Sequence, residues 1–284
     1  MSVSISTMSI HGTVCALHRW TPQSAPRGVV VLYHGLGAHA QYPTVRYAAE
    51  LLCENGFAVH ALDMPGHGES SGVRGLLTSA VAVENIGLAV ARHAATAHRS
   101  LPLFLMGSSM GGAIALAVSR RSPGVAGVVL LAPMLMLDNS LWLRRVLAAA
   151  ACIAPSLAAI PSSATSASNQ YRDWDRRREC EEDELTYKGM LRLASASACL
   201  ELAARTQETL EEVRVPFLCL VAAEDVVVNN EGARELGRRA STPAGHQTFV
   251  EYPALHGLLC EPEPLRSAIE GAIVKWLSGR CECR

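Results

Sequence analysis

Leu103-Phe104-Leu105-Met106-Gly107-Ser108-Ser109-Met110-Gly111-Gly112 is the stretch that decides how this chain is read. The apolar residues Leu103–Met106 predict a short strand buried on both faces, and the run Met110–Arg121 predicts a helix. Between them, Gly107-Ser108-Ser109-Met110-Gly111 matches G-x-S-x-G in the strand–turn–helix context that gives the pattern chemical meaning. A serine on so tight a turn sits in strained backbone space, where bulky flanking residues would clash. Its hydroxyl is thrust above the sheet, near a helix N-terminus that favours negative charge. Ser108 would need glycines at positions 106 and 110, where the chain has Met106 and Met110. Ser109 is the expected nucleophile.

Outward from this turn, strands and helices alternate. Upstream lie the strand Gly28–Tyr33, the helix Val45–Glu54 closed by Asn55-Gly56, the strand Phe57–Leu62 and the helix Ala80–Ala97. Val3–Ile10 and Thr13–Trp20, on either side of His11-Gly12, predict a hairpin. Downstream come the strand Val125–Leu131 and, much later, the strand Phe217–Ala222, the helix Glu231–Arg239, the strand Gln247–Tyr252 and the helix Leu265–Leu277. The expected class is α/β, a doubly wound, mostly parallel sheet flanked by helices. After Pro133 the alternation stops for about 80 residues, too long for a structureless loop. The expected organisation is therefore a core of residues 1–133 and 214–284 with an inserted helical cap, or lid, at 134–213. Within the cap, Trp142–Ile153 and Tyr187–Thr209 read as helices, joined by a Ser/Ala/Pro-rich link at Pro155–Ser168.

A serine hydroxyl needs a base. Among ten histidines, only His246 and His256 follow the strand expected to carry the orienting acid. Sites in open α/β sheets lie beyond the carboxyl ends of the strands. His246 precedes the strand Gln247–Tyr252, which at about 3.3 Å per residue puts it roughly 20 Å away on the wrong side. His256 is the expected base. For the acid, Phe217–Ala222 runs into Ala223-Glu224-Asp225; Asp225, farther into the loop, is preferred over Glu224, with Asp138 third. The order Ser109, Asp225, His256 is that of α/β-hydrolases, with attack, proton shuttling and imidazole orientation as the three roles. The expected oxyanion donors are the backbone N–H groups of Met110 and of Leu36, in His34-Gly35-Leu36-Gly37. His34, His39, His60, Asp63 and His67 fall on two turns without a helical ligand pair, so neither a metal nor another cofactor is expected. Asp63 and His67 are read as braces for the active-site loops.

With 25 Lys and Arg against 26 Asp and Glu, nothing in the composition points to nucleic acid. Nine scattered cysteines without a C-x-x-C pair suit a reducing compartment, and Met1–His11 lacks the charged and apolar regions of a secretory signal. The apolar run Leu141–Ala154 includes Arg144 and Arg145 and is shorter than the ~20 residues of a membrane span. The expected location is cytoplasmic, with peripheral membrane contact through the cap. The sequence does not set an oligomeric state. The tail Cys281-Glu282-Cys283-Arg284 places a cysteine fourth from the end, but Glu282 is not aliphatic and lipidation is not expected.

Together these residues resemble the monoglyceride lipase branch of the serine α/β-hydrolases. His34-Gly35-Leu36-Gly37-Ala38-His39 with Tyr42 is similar to that family's oxyanion loop. Asp63-Met64-Pro65-Gly66-His67-Gly68-Glu69-Ser70 resembles its D-x-x-G-H-G-x-S turn, and Val215-Pro216-Phe217 leading to Asp225 resembles its acid strand. The resemblance implies hydrolysis of monoacylglycerols or related lipid esters beneath a mobile lid. Lysophospholipase, short-chain carboxylesterase, peptidase and a non-catalytic binding member are the alternatives. The chain departs from the family at Ser108, where a histidine is usual, at Ala38, often a glutamate, and at Ala222 or Ala223, where the acid loop usually opens with glycine. Trp142, Leu143, Val146 and Leu147 lie on a helix apolar nearly all round, which either packs on the core or borders an acyl entrance and touches lipid. Arg172–Glu184, almost wholly charged, reads as a solvated face.

Overall fold

The computed structural model describes residues 1–137, 140–161 and 166–281. A hairpin of β1 (Ser2–Ile10) and β2 (Thr13–Thr21) leads into β3 (Gly28–Tyr33), α1 (Pro43–Glu54), β4 (Phe57–Leu62), α2 (Ala80–Ala97), β5 (Leu103–Ser108), α3 (Met110–Arg121) and β6 (Val125–Leu131). An excursion follows, with α4 (Leu141–Ile153), β7 (Ala158–Ile160), α5 (Ala167–Gln170), α6 (Trp174–Glu182), β8 (Leu191–Arg192) and α7 (Leu193–Glu208). The chain then closes with β9 (Phe217–Ala222), α8 (Glu231–Arg239), β10 (Gln247–Tyr252) and α9 (Leu265–Cys281).

Eight strands form one sheet in the order β1-β2-β4-β3-β5-β6-β9-β10. The pairs β1–β2 and β2–β4 are antiparallel, and all pairs from β4–β3 onward are parallel. The unbroken apolar runs predict strands buried on both faces, and every residue of β3, β4 and β9 is buried. Their side chains alternate between two cores. Val29, Val31, Leu103, Leu105 and Val128 pack with α2, α3, α7 and α8 on one face; Val30, Leu32, Phe104, Met106 and Val129 pack with α1 and α9 on the other. Phe104 is wholly buried, a position where truncation to alanine costs about 3–5 kcal/mol.

This topology also sets where a site can form. From β3 the chain crosses to β4 on one side and then returns to β5 on the other, so the strand order reverses at β3. The carboxyl ends of β3 and β5 thus diverge at a switch point, the usual binding crevice of such sheets.

The elements differ from expectation in detail. Proline at the first helical position, where its fixed φ suits the turn, starts α1 at Pro43 rather than Val45. The span Tyr187–Thr209 is not one helix: α7 begins at Leu193, after β8 pairs with β7 inside the expected link. Arg172–Glu184 is not simply a solvated face, because Cys180 is buried and Glu179 joins Arg46 and Tyr47 of α1. Asp138 and the tail beyond Cys281 lie outside the described residues. Among the described residues, no helix is long and apolar enough to cross a membrane.

Candidate active site

Ser109 stands between β5 and α3 with φ 55° and ψ −121°, a left-handed conformation that is strained for any side chain. Neighbouring backbone holds it there. Its N–H donates to Leu131 O at 3.0 Å, and its carbonyl accepts from Met134 N at 2.9 Å. The two glycines are steric requirements: a Cβ at Gly107 would lie 2.1 Å from Gly111 O, and one at Gly111 would lie 1.9 Å from Tyr33 O. Ser109 faces a cavity that it shares with Ser108, Gly35, Leu36 and His256.

His256 is buried in the loop after β10, and its Nδ1–H donates to Asp225 Oδ2 at 2.7 Å. The Asp225 side chain is fully shielded, and its other oxygen accepts from Val227 N at 2.7 Å and Val228 N at 3.1 Å. Two backbone donors thus lock the carboxylate, the carboxylate orients the imidazole, and Nε2 is left for proton transfer. Glu224 instead extends outward to Arg172, at 3.1 Å. His246 sits exposed at the amino end of β10, remote from the switch point.

The loop after β3 is braced from below. His34 Nε2 accepts from Met64 N at 3.0 Å, which places the proton on Nδ1, and Nδ1–H donates to Gly35 O at 2.8 Å. Burial lowers the pKa of His34, keeping the neutral ring this arrangement needs. Beside it, burial pushes His67 down to about 3, and its Nδ1–H donates to Pro65 O at 3.0 Å. Buried Asp63 accepts from Ala40 N, Glu69 N and His18 Nε2, joining the β3 loop to the Gly66-His67-Gly68 turn. His60 lies elsewhere, against His98. Leu36 borders the cavity, and Met110 follows Ser109 as the first residue of α3.

Ala38 and Tyr42 of the oxyanion-loop motif also line the cavity, and sequence reasoning missed the rest of its wall: Thr44, Gly257, Gln170, Thr186 and Tyr187. The last three come from the excursion. Tyr187 N–H donates to Gly37 O at 2.9 Å, and His39 Nε2 meets the Asp183 carboxylate at 3.0 Å. Gln170 and Thr186 belong to no periodic pattern, and Tyr187 fell at the start of the expected helix Tyr187–Thr209, which gives no sign of a place in the wall. The four α4 residues are placed apart from this cavity. Trp142, Leu143 and Val146 face outward and Leu147 is half-buried, while α4 packs on α7 over a separate hollow lined by Ala148, Ala151, Ala194 and Ala198.

A strained serine at a strand–helix turn, a carboxylate-oriented histidine and a glycine-rich loop converging on one cavity define a serine hydrolase of the α/β-hydrolase fold. Residues 24–263 match the family model described as "Serine aminopeptidase, S33", and the chain belongs to that family, Hydrolase_4, in its monoglyceride lipase branch. It is 31% identical to the monoacylglycerol lipase of Mycolicibacterium smegmatis across 86% of both chains, and 28% identical to human monoglyceride lipase across 92% of this chain and 86% of that one. The crystal structure of Paleococcus ferrophilus monoacylglycerol lipase superposes with a TM-score of 0.79 at 27% identity, covering 93% of this chain and 99% of that one. The protein is a carboxylic ester hydrolase.

Proposed function

We propose that the protein hydrolyses carboxylic esters of lipids, in the first place monoacylglycerols, to a fatty acid and glycerol through an acyl-enzyme on Ser109. Ser109 Oγ attacks the ester carbonyl carbon while His256 Nε2 takes its proton. The tetrahedral oxyanion is held by the N–H groups of Leu36 and Met110, and Asp225 stabilises the imidazolium. The imidazolium gives its proton to the departing glycerol oxygen, and water then repeats the sequence to release the acid. The observation that carries this reading is that His256, bonded to Asp225, lines the same cavity as the strained Ser109.

Residues 134–213 form the cap in this reading. The exposed apolar side of α4, with Trp142, Leu143, Val146 and half-buried Leu147, meets the lipid surface and the acyl chain as the substrate passes in. Such contact makes the enzyme peripheral to membranes.

The test is labelling by a fluorophosphonate probe together with an ester series. Ser109→Ala is expected to abolish labelling and lower turnover by about 10⁶-fold without unfolding, whereas Ser108→Ala retains most activity. Monoacylglycerols should exceed choline lysophospholipids and p-nitrophenyl acetate in kcat/KM, and aminoacyl anilides should be inert. Retained turnover in Ser109→Ala would end the mechanism. A preference for acetate or for anilides would move the protein to a short-chain esterase or a peptidase.

A further inference from the structure

Both backbone neighbours of His256 are held by groups that the cap controls. Gly257 N–H donates to Gln170 O at 2.8 Å. Leu255 N–H donates to Glu261 Oε1 at 2.6 Å, and the other oxygen of that carboxylate lies 3.2 Å from Arg172 Nε. Arg172 Nη2 reaches a second carboxylate, Glu224, at 3.1 Å, and Glu224 N–H donates to Ala254 O at 3.0 Å beside Asp225. Between Gln170 and Arg172, the buried Tyr171 ring packs so closely on Gly257 that a Cβ there would come within 2.3 Å, and its hydroxyl donates to Tyr42 Oη at 2.7 Å. Three consecutive cap residues therefore grip the histidine loop on both sides.

We propose that Gln170-Tyr171-Arg172 forms a clasp through which the docked cap aligns His256, with Arg172 and Glu261 as positioning residues for the reaction. This rests on the assignment of His256 as the base. Glu261 is 2% exposed, and a buried carboxylate must be paired. One of its partners belongs to the histidine loop and the other to the cap. Without Arg172, Glu261 turns toward water and releases Leu255, and the imidazole loses one of its two backbone anchors. Displacement of a catalytic group by about 1 Å can cost about 10²-fold in rate. Cap docking and base alignment are thus one event: a cap lifted far enough to part Arg172 from Glu261 also switches the base off.

The test uses the full chain, with p-nitrophenyl butyrate turnover expressed per active site titrated by the fluorophosphonate probe. Arg172→Ala is expected to lower kcat per titrated site by about tenfold or more while KM stays within about twofold. Arg172→Lys should recover part of the loss, because an ammonium still pairs with Glu261 but lacks the guanidinium's fork. Glu261→Gln should fall between, since its amide oxygen still accepts from Leu255 N–H. Unchanged kcat per site in Arg172→Ala, or a loss seen only as fewer titratable sites with a lower Tm, would make Arg172 a staple of the fold and overturn the clasp. Undiminished labelling of Ser109→Ala would instead remove the triad reading, and the clasp with it.

Discussion

Two stretches of the same excursion meet the core in opposite ways. α4 is the more apolar, yet none of its 13 residues is buried; Trp142 is 66% and Val146 55% exposed. Residues 170–187 are far more polar and are tied to the core at several points: Gln170 and Arg172 to the histidine loop, Asp183 and Tyr187 to the oxyanion loop, and Glu179 to α1. The more polar of the two stretches is thus the one bonded to the catalytic loops. Polar groups have directional partners and can hold catalytic loops in register, whereas apolar surface adheres to anything apolar. Leaving α4 uncovered makes it available to a substrate or a lipid surface.

Acid should strain the turn beneath the oxyanion loop, to which residues 183 and 187 are tied. His67, wedged beside His34 under the oxyanion loop, takes up a proton only near pH 3 in the folded protein, against about 6.5 when unfolded. Between those values the unfolded chain binds the extra proton, so the stability that His67 confers is complete above pH 6.5 and is lost as pH falls toward 3, by a few kcal/mol in all. In chemical denaturation, His67→Leu should flatten the pH dependence between pH 4 and 6 by about one proton, or ~1.4 kcal/mol per pH unit. Hydrogen exchange in the parent should show 34–39 and 170–187 loosening in this range. An unchanged slope in His67→Leu would mean that the imidazole titrates alike in both states.

A smaller and more local break is available at the clasp. In Gly257→Ala the new methyl would fall 2.3 Å from the Tyr171 ring and 2.9 Å from Gln170 O, pushing the cap off the histidine loop. The expected loss is about 10²-fold in kcat, equal for short and long esters, because alignment of the base is common to both. A loss confined to long esters would mean that Gly257 shapes a binding wall instead.

The unequal legibility of the molecule follows the same division. The parallel strands were readable because burial on both faces enforces unbroken apolar runs, and the Ser109 turn because only glycine fits at 107 and 111. His256 could be told from His246 by the polarity of β10 alone. The ties of the cap could not be read. Arg172–Glu261 and His39–Asp183 join residues 89 and 144 positions apart with no periodicity to announce them, and a run of charges looks the same whether it faces water or a neighbouring loop. For α4 the sequence left two readings, packed helix or lipid-facing lid, since a helix apolar nearly all round satisfies either. The extent to which its outer side is exposed now favours testing the second.

That test predicts the smallest effect on the protein itself and a selective one on its substrates. Leu143 is 42% exposed, so Leu143→Asp removes little buried surface, and stability should change by no more than about 0.5 kcal/mol. Hydrolysis of p-nitrophenyl acetate should be untouched, because a two-carbon acyl group reaches no farther than the cavity at Ser109. A long acyl chain is different. Each methylene it buries contributes about 0.8 kcal/mol, so contact of three or four of them with α4 is worth roughly 2–3 kcal/mol, and a carboxylate placed in that contact forfeits much of it. Long-chain monoesters presented in vesicles should therefore lose about tenfold or more in kcat/KM while acetate esters lose nothing. Equal retention of both would show that substrate never touches α4, and the acyl chain would then have to be sought along the wall made by Thr186 and Tyr187, on the stretch bonded to the catalytic loops.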